Sequence, residues 1–215
     1  MKKAVYFISG LGSDERVFQH LDLNAYEVHH IKWIKPFYKE SMAAYARRLA
    51  QQINDVKPVI VGLSMGGMMA VEIGKFLETE KIILISSAKY ASELPRQYNF
   101  FAKLKLHRYL PDFLLNRPNK ILYRLFGVDK QRDKVLLRSI IQDTDPKFVR
   151  WAIDAILEWD NEEVRGKVIH IHGTEDRIIP IKNIAADYII SKGSHSLVFQ
   201  KPEEISALLL KIMDT

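Results

Sequence analysis

The stretch Val59-Ile60-Val61-Gly62-Leu63-Ser64-Met65-Gly66-Gly67 constrains this chain more than any other. A β-branched run ends at Gly-x-Ser-x-Gly, and a helix-like segment follows at once. That is the sequence form of a sharp strand-to-helix turn, which lifts a serine hydroxyl above the end of a sheet, against the plainer reading of a structural turn serine. A side chain two residues to either side of Ser64 would collide with the neighbouring strand or helix, so Gly62 and Gly66 have a steric reason to be glycine. The motif is short, and its value comes from the strand before it and the helix after it.

The rest of the chain repeats the alternation. Six strands are expected: Ala4–Ile8, Glu27–Lys32, Pro58–Gly62, Lys81–Ser86, Lys167–His172 and Asp187–Ser191. Most are continuous apolar runs, as in parallel sheets covered on both faces. Helices are expected near Glu15–Leu21, Ser41–Asn54, Met65–Glu78 and Glu203–Met213, with Met42, Tyr45, Ala46, Leu49 and Ile53 marking one apolar face of the second. Strands alternating with helices imply a doubly wound α/β sheet with right-handed crossovers. Residues 88–163 break the rhythm. They carry no convincing strand, look helical, and contain breaks at Pro95, Pro111, Pro118 and Pro146. They read as an insertion packed over one edge of the sheet.

Composition narrows the function classes. The 215 residues suit one core. No apolar run approaches the roughly 20 residues of a membrane span, and the apolar part of the amino-terminal stretch is too short for a signal peptide, so it reads as a buried strand. The absence of cysteine excludes thiolate catalysis and disulfides, and the cytoplasm is the default location. The net charge of +6 is uneven: residues 89–150 hold 14 Lys/Arg against 6 Asp/Glu. No nucleic-acid reading module accompanies this excess. Its basic side chains are most simply solvated. The sharper expectation is an anionic moiety there, coenzyme A or an acidic carrier protein, with weak attraction to an anionic membrane surface as a further possibility.

A serine hydroxyl needs a base, and the base needs a carboxylate to hold its tautomer. Val168-Ile169-His170-Ile171-His172-Gly173-Thr174-Glu175-Asp176 supplies a strand, a turn and a carboxylate. Asp187-Tyr188-Ile189-Ile190-Ser191-Lys192-Gly193-Ser194-His195 supplies a strand, a turn and an imidazole. Ser64, Asp176 and His195 therefore stand in the order nucleophile, acid, base, each at a strand end. Glu175 is the rival acid. Of the other histidines, His29, His30, His107 and His170 read as strand, surface or inserted-segment residues, and His172 as a prop for the acid loop.

Gly62-Leu63-Ser64-Met65-Gly66-Gly67, His172-Gly173-Thr174-Glu175-Asp176 and Gly193-Ser194-His195 give the whole chain a resemblance to the α/β-hydrolase superfamily. The resemblance implies a mostly parallel sheet of about six strands with helices on both faces. Residues 1–87 and 164–215 would form the core, and 88–163 an inserted helical cap. It implies Ser64, Asp176 and His195 as nucleophile, orienting acid and general base. The oxyanion donors would be the backbone N–H groups of Leu11 and Met65. Three departures stand out: Ser9-Gly10 replaces the common His-Gly, a leading antiparallel hairpin is absent, and only 18 residues separate Asp176 from His195. The expected activity is ester or thioester hydrolysis through an acyl-enzyme, with a small-molecule acyl substrate and neither metal nor organic cofactor. Carbon–carbon hydrolysis or lyase chemistry with the same three residues is the alternative, as is a binding protein on this scaffold.

Overall fold

The computed structural model describes residues 2–96, 98, 108, 111–115 and 117–215. Six strands form one fully parallel sheet: β1 (Ala4–Ile8), β2 (Glu27–Ile31), β3 (Val59–Leu63), β4 (Lys81–Ile85), β5 (Val168–Gly173) and β6 (Tyr188–Ile190), in the order β2-β1-β3-β4-β5-β6. The chain steps outward from β1 to β2, then crosses back to β3 and continues the other way. The loops leaving β1 and β3 therefore diverge, and open α/β sheets bind ligands in the crevice this creates.

Helices cover both faces: α1 (Met42–Leu49), α2 (Met65–Gly74), α3 (Asp112–Leu115), α4 (Lys120–Phe126), α5 (Gln131–Asp143), α6 (Pro146–Leu157), α7 (Leu197–Gln200) and α8 (Pro202–Met213). Alternate strand residues feed two apolar clusters. Val5, Phe7, Val61 and Ile83 face α5, α7 and α8, while Tyr6, Ile8, Ile60 and Ile82 face α1, α2 and α6. Helix α2 is buried on nearly every side, which fits its apolar sequence and its central position.

Several helices are shorter than their periodicity predicts. Glu15–Phe18 is a 3-10 turn capped by the Asp14 carboxylate, since a segment this short gains too few hydrogen bonds to nucleate an α-helix. Helix α1 gives way to a 3-10 turn at Ala50–Gln52, and Ile53 is extended. The Gln52 amide is used elsewhere: its Oε1 accepts from Lys32 N and its Nε2 donates to Lys32 O (2.9 Å each), extending the edge beyond β2. Helix α2 stops at Gly74 rather than Glu78, at the residue least able to prolong it.

The segment between β4 and β5 reaches both clusters rather than one edge. Leu137, Ile140 and Ile141 of α5 join the first cluster, and Phe148, Trp151, Ala152 and Ala155 of α6 join the second. Pro146 begins α6 at its first turn, where proline costs no hydrogen bond. Trp151 packs against Tyr45 with the rings tilted by 35° and their centroids 4.2 Å apart, and donates through Nε1 to Glu40 O (2.8 Å), while Trp159 donates to the buried Glu72 carboxylate (2.8 Å). An aromatic pair of this kind adds about 0.5–1.5 kcal/mol beyond the area it buries. The apolar and basic residues expected at Phe100, Phe101, Lys103, Leu104, Lys105, Leu106, Tyr109 and Leu110, with His107, lie outside the described residues.

Candidate active site

Ser64 occupies the turn between β3 and α2 with φ 52° and ψ −122°. Such a conformation costs on the order of 1–3 kcal/mol and must be held from outside. Its N–H donates to Ile85 O (2.9 Å), and its carbonyl accepts from the Ser87 hydroxyl (2.6 Å) and from Gly67 N (2.9 Å). The turn also closes around missing side chains. A β-carbon on Gly62 would lie 2.4 Å from Gly66 O, and one on Gly66 would lie 2.2 Å from Ile8 O. Ser64 Oγ makes no capping bond to α2, which leaves it available to the histidine.

The three candidate side chains meet although Ser64 and His195 are 131 positions apart. His195 Nε2 is 2.9 Å from Ser64 Oγ, and His195 Nδ1 is 2.8 Å from Asp176 Oδ2. Asp176 Oδ1 accepts from the backbone N–H groups of Ile178 (2.9 Å) and Ile179 (2.8 Å). Burial opposes ionisation of Asp176, but the charge and hydrogen bond of His195, with the Ile179 amide, hold its carboxyl below the usual range. The rival Glu175 is exposed.

A second pair of imidazoles lies behind the acid. His172 and His170 are fully buried. His172 Nε2 is 2.8 Å from Ile179 O, which can only accept, so Nε2 carries the hydrogen. His172 Nδ1 must then accept from His170 Nε2 at 3.1 Å. The same His172 N–H points near Asp176 Oδ2 (3.4 Å). Desolvation lowers the pKa of both rings, that of His170 to about 3. A histidine depressed in the folded state stabilises it fully above its unfolded pKa and loses that contribution as pH falls towards the folded value. Acid destabilisation should therefore begin near pH 6.5, well above the carboxylate range. Urea midpoints should register a loss of about 2–3 kcal/mol between pH 7 and 4.5 from His170 alone. A flat profile over that interval would show that these rings are not held neutral.

The loop after β1 approaches the serine closely: a β-carbon on Gly10 would sit 3.3 Å from Ser64 Cβ. Ser9, in place of histidine, secures this loop through its hydroxyl, which donates to Ser13 O (2.8 Å), and Trp33 Nε1 donates to the same carbonyl (2.9 Å). The N–H groups of Leu11 and Met65 donate to no acceptor among the described residues. Met65 opens α2, where the free N–H groups and the helix dipole favour negative charge.

Helix α4 braces the acid and base loops together. Its final carbonyls lack intrahelical partners. Arg124 O accepts from Arg177 Nη1 (3.1 Å), beside the acid, and Phe126 O accepts from Ser196 N (3.1 Å), beside the base. Gly127 ends the helix at φ 67°, and a β-carbon there would meet Ser194 Cβ at 2.2 Å. Phe126 presents its ring edge-on to His195 at 5.6 Å.

A cavity of about 530 Å³ opens over Ser64 and His195. Among the described residues, no group of acidic, histidine or cysteine side chains could hold a metal ion, and no helix is long and apolar enough to cross a membrane.

A model of the alpha/beta hydrolase family matches residues 5–208. The chain belongs to the α/β-hydrolase family. Among solved structures, this hydrolase is similar to a thermophilic esterase from Thermogutta terrifontis, with TM-score 0.74 and 17% identity over 100% of this chain and 90% of that one. An esterase from Exiguobacterium antarcticum gives TM-score 0.77 at 14% identity, covering 100% and 94% of the two chains. A bromoperoxidase from Bacillus anthracis gives 0.72 at 18%, covering 100% and 93%. Likeness at these identities establishes the fold, and the reaction must be argued from the site. Among curated proteins, none matches the hydrolase in sequence.

Neither the support that Ser87 gives the Ser64 turn nor that given by α4 follows from the motifs alone. The seryl pair at the end of β4 was the available sign, because a hydroxyl beside a strained turn is a natural partner for its carbonyl.

Proposed function

We propose that this hydrolase cleaves a carboxylic ester or thioester through an acyl-enzyme on Ser64. The observation that carries this reading is the unbroken hydrogen-bonded line Asp176–His195–Ser64 beneath an apolar cavity. His195 Nε2 takes the Ser64 proton as Oγ attacks the substrate carbonyl carbon. The negative charge moves to the carbonyl oxygen, between the N–H groups of Leu11 and Met65. Collapse expels the alcohol or thiol, which receives the proton from His195. A water molecule, deprotonated by the same imidazole, then attacks the acyl-enzyme and releases the acid. Asp176 keeps Nδ1 protonated and stabilises the imidazolium. Residues 88–163 act as the cap over this chemistry, and 1–87 with 164–215 as the core. Exposed Lys120, Arg124 and Arg138 support an anionic leaving group such as coenzyme A.

A fluorophosphonate probe tests the nucleophile. Wild-type protein should be labelled covalently at one serine, and Ser64→Ala should not be labelled. A folded wild type that stays unlabelled would instead favour a binding protein with this scaffold.

A further inference from the structure

We infer that the cavity over Ser64 selects an unsubstituted hydrocarbon acyl chain, several carbons longer than acetyl, over hydroxylated, charged or diketone acyl groups. The inference rests on the acyl-transfer reading above and adds the substrate class. The volume of about 530 Å³ lies within the roughly 300–1,000 Å³ of small-molecule sites. Val17, Phe126, Ile141, Val149, Ile153 and Phe199 line it, brought together from five separate parts of the chain.

What the walls do with their polar atoms decides the class. Ser13 Oγ donates to Gly10 O (2.8 Å), Thr144 Oγ1 to Ile140 O (2.9 Å) and Tyr98 Oη to Ile178 O (3.0 Å). Each hydroxyl hydrogen is thus spent on the protein's own backbone. Asn119 is exposed, and its Oδ1 caps α4 through Leu122 N (2.9 Å). Arg117 is exposed and engaged by another group. Among the described lining residues outside Ser64 and His195, Ser196 is the hydroxyl without a committed partner, and it adjoins the base.

A hydroxyl or carboxylate carried deep into this space would leave water and find nothing to replace it. A methylene would leave water at a gain. Carbon–carbon cleavage at the same serine would expel a carbanion, which must be delocalised into a neighbouring carbonyl held by hydrogen-bond donors. Ser13, Tyr98 and Thr144 keep no such donor in reserve, and the remaining lining hydroxyl, Ser196, adjoins the base, so the cavity favours oxygen or sulfur leaving groups.

The test uses the full chain with p-nitrophenyl acetate, butyrate, hexanoate and octanoate, and with mono-p-nitrophenyl suberate, which ends in a carboxylate. A parallel arm uses coenzyme A thioesters of the same acyl lengths. We expect kcat/KM to rise about fourfold per methylene until the cavity fills, from the transfer energy of a buried methylene. The suberate ester should fall at least about tenfold below the octanoate. Activity in one arm or both identifies the leaving group, and the same chain-length order in an active arm supports the inference. Ile153→Trp should lower the octanoate-to-acetate ratio at least about tenfold by filling the cavity; being a ratio, this reading does not depend on how much variant folds. A flat or falling length profile with Ser64 still labelled by the fluorophosphonate would overturn the inference and leave acyl transfer standing. So would labelling without turnover of any oxygen ester or thioester. Absence of both labelling and turnover would overturn the acyl-transfer reading as well.

Discussion

Replacing His195 with alanine is expected to lower ester turnover by about 10⁶-fold, the loss typical when a member of such a constellation acts as a unit with its partners. Among the described residues nothing else is placed to take the serine proton: Ser64 Oγ has His195 Nε2 at 2.9 Å as its hydrogen-bonding partner. Asp176→Asn should cost about 10⁴-fold, for a reason visible in the hydrogen bonds. The N–H groups of Ile178 and Ile179 pin Oδ1 as an acceptor. An asparagine would keep its oxygen there and turn its NH₂ towards His195 Nδ1. The imidazole would then adopt the opposite tautomer, with a hydrogen on Nε2 aimed at Ser64, and could no longer accept the proton. Steady-state kinetics on p-nitrophenyl esters, with circular dichroism to establish folding, measures both. Turnover within tenfold of wild type in either folded variant would reassign that role.

Gly66→Ala is expected to be severely damaging although it adds a single methyl group. Its β-carbon would lie 2.2 Å from Ile8 O and 2.4 Å from Ser9 O, both backbone atoms that cannot rotate away. Either α2 lifts from the end of β1 or the loop after β1 shifts, and each moves a proposed oxyanion donor away from Ser64. Overpacking of this kind costs about 3 kcal/mol, which lowers Tm by roughly 6–12 °C in a chain of this length. Turnover should be lost even at temperatures where the variant is folded, because the donor positions change with the backbone. A melting temperature within 2 °C of wild type, with normal turnover, would show that the turn has more freedom than these contacts allow.

The parts of the molecule legible in the sequence are those fixed by short-range demands. The strands announce themselves as β-branched runs, and the turn at Ser64 by glycines whose positions are dictated within five residues of the serine. Asp176 and His195 are readable as residues that follow a strand and a glycine turn. Helix lengths were less readable, because Ala50–Gln52 and Gly74 answer to tertiary contacts and local propensity that periodicity ignores. The bonds from Ser87 to Ser64, from His170 to His172 and from Ser196 to Phe126 were not readable as contacts. The partners of Ser87 and Ser196 lie 23 and 70 positions away, and two histidines on one strand face do not declare their tautomers. Cavity polarity is likewise a property of the folded wall. Ser13, Tyr98 and Thr144 look like available donors in a sequence, and only their hydrogen-bond geometry shows them spent.

The carbonyls ending α4 have a consequence for how the molecule meets bulky ligands. Arg124 O and Phe126 O hold the neighbours of both Asp176 and His195, while Phe126 itself faces the ligand space. On the proposed reaction, the wall that gauges the acyl group is therefore fixed to the helix that aligns Asp176 and His195. Cargo that wedges this helix outward would drag imidazole and carboxylate along with it, so oversize ligands would be tolerated as passengers and rejected as reactants.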